Sequence, residues 1–65
     1  MTLWLVVKDE AQGRRVREIL QDLFKEKIEV KGTVCQHDAV LLPVAGAKEE
    51  IAKIKSLTGL KSVVS

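Results

Sequence analysis

Residues 39–44 read Ala-Val-Leu-Leu-Pro-Val, a run with no polar side chain. Five of the six residues are open-chain apolar side chains and the sixth is Pro43. A strand with one wet face alternates apolar and polar residues, and this run does not. Read as a strand, it must be covered on both faces. Leu3–Val7 (LWLVV) is a second run of the same kind, β-branched and aromatic in character and too short for a helix. Residues 28–35 (IEVKGTVC) behave differently. Ile28, Val30, Gly32 and Val34 fall on one side, and Glu29, Lys31, Thr33 and Cys35 on the other. That is the pattern of a sheet edge with one polar face. Gly32 marks a candidate bulge within it. The polar turn Gln36-His37-Asp38 makes a hairpin of 28–35 and 39–44. Pro43 has no ladder donor, so a central strand can hold it only through a bulge or an early end.

Two helices complete the order. Asp9 is a candidate N-cap, with Gln12 three residues later in a capping-box pattern. Gly13 follows in the first turn; it costs about 1 kcal/mol against alanine there, or it permits a close approach. Val16, Ile19, Leu20, Leu23 and Phe24 form one helical stripe, which predicts a helix over 11–26. Ala47, Ile51, Ile54 and Leu57 form a second stripe, ended by Gly59 in an expected left-handed cap. Lys61–Val64 reads as a last short strand.

The order β-α-β-β-α-β predicts an α+β, ferredoxin-like sandwich, one domain over 1–65, with a four-stranded antiparallel sheet and both helices on one face. Right-handed crossovers put Leu3–Val7 and 39–44 in the centre. The helix-free face then carries either Trp4 with Val6, or Leu3 with Leu5 and Val7, together with alternate residues of 39–44. Trp4, Val6 and Leu41 are assigned to it. An uncovered apolar patch of this kind is a partner site.

Size and composition point the same way. A chain of 65 residues buries only about 60% of its unfolded surface, so it needs help from disulfides, a metal or oligomerisation. Cys35 is the only cysteine, which excludes a disulfide within the chain and fits a reducing, cytoplasmic setting. The net charge of +2, with acids and bases interleaved, carries no nucleic-acid or membrane signature. The apolar N-terminus has no basic residues before it and no small-residue cleavage site, so it reads as a strand and not a signal peptide. No apolar run approaches the roughly 20 residues of a membrane span.

Two clusters can carry chemistry. Cys35-x-His37, with Asp38 beside it, offers thiolate, imidazole and carboxylate to a divalent transition metal. One chain supplies at most three such ligands, so a closed site needs an oligomer; no other cofactor is indicated. Asp9, Gly13, Arg14 and Arg15 stand at the head of the first helix, where a carboxylate or phosphate ligand can be received. There is no P-loop, and no nucleophile with a base and an orienting group. The chain does not read as an enzyme.

The stretch LVVKDEAQGRRVREILQD, followed by IEVKGTV, resembles the start of ACT-type small regulatory domains: a strand, an acidic residue, a glycine at the helix head, then an apolar-striped helix. Asp9 and Gly13 stand at those positions, with Gln12 where the usual proline would be. AVLLPVAGAKEEIAKIKSLTGLKSVVS is similar to the last strand–helix–strand of the C-terminal domain of nickel-responsive repressors, and of the small regulators linked to iron-only hydrogenase systems. The resemblance implies a sensor-like module that pairs through its sheets and binds a small ligand or metal at subunit contacts, with Cys35 and His37 near the repressors' ligand positions. Ala39 and Val40 stand where those repressors have a cysteine. Heavy-metal-associated domains share the fold but carry Cys-x-x-Cys where this chain has Lys8-Asp9-Glu10-Ala11. The expectation is a non-enzymatic regulatory or ligand-sensing domain that pairs with itself. The alternatives are a metal-binding protein using Cys35 and His37, and a small scaffolding subunit of a hetero-complex.

Overall fold

The structure, a computed structural model, describes residues 1–64. The chain is α+β, with two helices and an antiparallel sheet of five strands. In chain order the elements are β1 (Thr2–Val7), α1 (Glu10–Phe24), a 3-10 turn (Lys25–Lys27), β2 (Ile28–Val30), β3 (Val34–Gln36), β4 (Ala39–Gly46), α2 (Lys48–Thr58) and β5 (Ser62–Val64). The sheet order is β2-β4-β1-β5, and β3 also pairs with β4. The two non-alternating runs, β1 and β4, are thus the central pair.

β1 and β4 divide their residues between two faces. Opposed residues in an antiparallel pair share a face. Leu3, Leu5 and Val7 pair with Val44, Leu42 and Val40, and all but half-buried Val40 are buried. These join Leu20 and Phe24 of α1 and Ile51 and Ile54 of α2 in one core cluster. Both helices therefore lie against that face. Leu3, Leu5, Leu42, Val44 and Ile54 are fully buried, each worth about 1.5–3 kcal/mol of transfer free energy. Thr2, Trp4 and Val6 pair with Ala45, Pro43 and Leu41 on the other face.

The expected four-stranded sheet needs correction at its edge. Residues 28–35 do not form one strand but β2 and β3, separated by Lys31–Thr33. Val30 pairs with Val44, and Val34 with Leu41. Four steps along the edge therefore span three steps along β4, so one residue is extra. This is a bulge, and an extra residue reverses which face the following side chains take. Ile28 and Val30 are buried on the helix side, but Val34 stands beside Leu41 on the open side. The single period-two strand holds for its first half only.

Pro43 fits because of that bulge. In an antiparallel ladder the N–H and C=O of one residue point to the same neighbour. The Pro43 carbonyl accepts from the Lys31 N–H at 3.0 Å. Its donorless nitrogen therefore also faces the edge, at Lys31–Thr33, where the ladder is interrupted.

The helix ends follow local chemistry. Asp9 caps α1, its carboxylate accepting from the Gln12 N–H at 2.8 Å. The Gln12 side chain reaches back to the Lys8 N–H, one residue before the usual capping-box donor. α1 stops at Phe24 because Lys25 takes φ 51°, ψ −120°, outside helical geometry. α2 has no side-chain N-cap, but Glu49 and Glu50 in its first turn suit the dipole. Gly59 closes it at φ 62°, its N–H donating to the Lys55 carbonyl.

Candidate functional site

Two regions stand out among the described residues: the open sheet face and a cleft beside α1. The open face is built by alternation. Trp4 on β1 lies between Pro43 of β4 and Val63 of β5, and Leu41 of β4 lies between Val6 of β1 and Val34 of β3. Two adjacent apolar rows result. Glu29 and Thr2 flank Ala45 beyond one row, and Gln36 stands opposite Ala39 beyond the other. Trp4, Val6 and Leu41 are half-buried within the chain, while Val63 and Val34 are exposed. The structure thus brings Trp4, Val6 and Leu41 together on one face. Val34 and Val63 are additions, and Pro43 stands in the same row but is itself buried; the bulge that turns Val34 outward has no signal in the sequence beyond Gly32.

The cleft lies between the first turns of α1 and the bulge. Gly13, Arg14, Arg17, Gly32 and Thr33 line it, with Glu10 at one end and Leu42 beneath. Its volume is about 170 Å³. Gly13 sets the spacing of its walls: a Cβ there would stand 2.5 Å from Thr33 Cγ2. Of the four residues expected at a ligand site, Gly13 and Arg14 meet here. Asp9 is occupied as the N-cap, and Arg15 lies outside the lining, on the exposed face of α1. Arg17, Gly32 and Thr33 line the cleft without being among the four expected, and the signal for Arg17 is its place three residues after Arg14 on the same helix face. No ion pair engages Arg14 or Arg17 among the described residues.

The helix side holds a further apolar feature. Ile19 and Leu23 of α1 and Leu57 of α2 line a groove between the helices, floored by Val16, Leu20 and Leu60. Both stripes predicted these three residues to be core, yet Ile19, Leu23 and Leu57 are each more than half exposed.

Cys35 is exposed on β3 opposite Val40. His37 and Asp38 are the two turn residues of the hairpin, both at positive φ (52° and 62°), as a type I′ turn requires. Among the described residues, no group of three or more His, Cys, Asp or Glu side chains is placed to hold a metal ion. Cys35 and His37 remain a pair of donors, short of the four a closed site takes. No helix is long and apolar enough to cross a membrane. Compared with protein-family models, curated proteins and solved structures, the chain matches none.

Proposed function

We propose that this chain is a non-enzymatic, cytoplasmic regulatory or ligand-sensing domain that works as a homodimer or higher oligomer, paired through its open sheet face. The architecture we assign is ferredoxin-like. The support for that is the pairing order, with β2 and β3 taken as one bulged strand, and the common core that both helices share. The ACT-like resemblance of the β1–α1 segment agrees with it.

The observation that carries the pairing is the row Val63–Trp4–Pro43 beside the row Val6–Leu41–Val34, on a face with no helix over it. A tryptophan at the centre of an apolar patch is the usual anchor of an interface. Size sets the expected strength. Eight residues of β4 at about 3.3 Å each, and four strand positions at about 4.8 Å, make a face on the order of 500 Å². Two such faces bury on the order of 1,000 Å², the lower bound for a specific interface. The dimer should therefore dissociate on dilution.

Sedimentation equilibrium across a concentration series tests this. The expected result is a mass that rises from 7.2 kDa towards its double. Trp4→Lys should hold the chain at the monomer mass with its circular dichroism unchanged. A wild-type chain that stays monomeric at hundreds of micromolar overturns the proposal.

A further inference from the structure

We propose that the cleft between α1 and the bulge binds a small oxyanion, a phosphate or carboxylate group, held by Arg14 and Arg17 against the backbone of Gly32 and Thr33. This names a ligand class for the sensing role proposed above and rests on that role.

The argument begins with the arginines. Both line the cleft, and neither has an ion-pair partner among the described residues. Arg14 and Arg17 are the fifth and eighth residues of α1, one turn apart on the side that faces the bulge. Among the described residues neither guanidinium is held by an ion pair, so both are available to a ligand. Guanidinium groups three residues apart share a helix face, and each offers a fork of donors suited to the oxygens of an anionic group.

The opposite wall contains backbone outside the sheet ladders. Gly32 and Thr33 fall outside the β2 and β3 ladders, and their N–H groups make no hydrogen bond among the described residues. Gly32 has open space where a Cβ would stand, so an incoming group can reach the backbone. The volume of about 170 Å³ equals roughly five or six waters, enough for one small anion and too little for a nucleotide. Glu10 lines the same cleft and opposes an anion. The net charge of the lining is thus one positive unit, and removing Glu10 should tighten binding.

The test is a titration of the full chain with inorganic phosphate and, separately, with malonate. Chloride holds ionic strength constant, and amide resonances are read by two-dimensional NMR. The expected result is a saturable shift of the Gly32 and Thr33 amides. Arg17→Gln and Arg14→Gln should each weaken it about tenfold or more, the loss of one charge-assisted pair. Glu10→Gln should strengthen it several-fold. Lys53→Gln, on the exposed face of α2, should leave it unchanged. Tighter binding of phosphate assigns a phosphate group, and tighter binding of malonate a carboxylate. Absence of saturable shifts with either anion, or shifts indifferent to Arg17→Gln, overturns the proposal. Mass measured on the same samples separates the two ideas. A monomer that binds the anion overturns only the pairing, and a dimer that does not bind overturns only the cleft.

Discussion

Gly13 lies where two opposite effects meet. Alanine in its place would gain about 1 kcal/mol of helix propensity. It would also drive a Cβ to 2.5 Å from Thr33 Cγ2. Overpacking of this kind costs about 1–3 kcal/mol. Gly13→Ala should therefore destabilise the fold by roughly 1 kcal/mol in urea unfolding. On a Thr33→Ala background the clash partner is gone and the propensity gain remains. There the same substitution should be neutral or stabilising by up to about 1 kcal/mol. At this scale the sequence is legible in type and silent on cause. Asp9 and Gln12 announce a cap because capping chemistry is local. Gly13 announces only that a side chain is unwelcome; its neighbour is twenty residues away, and no periodicity links them.

At the scale of elements, helical spacing predicts which residues share a side but not how wide the buried arc is. Leu57 lies on the stripe with Ile51 and Ile54, yet it is 64% exposed while Ile54 is fully buried. Ile54→Ala should cost about 2–5 kcal/mol. Leu57→Ala should cost well under 1 kcal/mol. Equal losses in chemical denaturation would place Leu57 in the core after all. β1 and β4 were legible for the complementary reason: a strand with no polar phase can only be central. The edge was half legible, because alternation persists through a bulge but changes its meaning. Pro43 reports on the same feature. Pro43→Val keeps apolar bulk and adds an N–H facing the interrupted ladder. Stability should fall by about 0.4–1 kcal/mol, the entropy returned to the unfolded chain. A gain would mean that a new ladder bond had formed there.

The whole molecule carries apolar surface on both sides, the sheet rows on one and the interhelical groove on the other. The groove is framed by three exposed side chains. Pairing through the sheet face, as proposed, should be driven by apolar burial rather than charge. Sodium sulfate should therefore tighten self-association, since excluded salts strengthen burial. An interface held by ion pairs would weaken with added sodium chloride, because salt screens exposed charges. Sedimentation in the two salts distinguishes them. That an apolar sheet face lies without a helix over it could be inferred from two strands lacking a wet side. Which residues occupy it could not, because Leu3–Val7 offers two equally apolar phases until the helices choose one.

The single extra residue at Lys31–Thr33 also bears on how copies of this chain fail to assemble. Fibrillar growth adds identical strands edge to edge, and a free strand of uniform alternation is its template. Here the outer edge is two short strands in opposite phase. A newcomer would have to skip a residue at the same point or place one half of its side chains on the wrong side. β5, at the opposite border, is only three residues long. Lateral growth by strand addition is therefore frustrated at both borders of the sheet, which leaves face-to-face contact as the less obstructed way for two copies to meet.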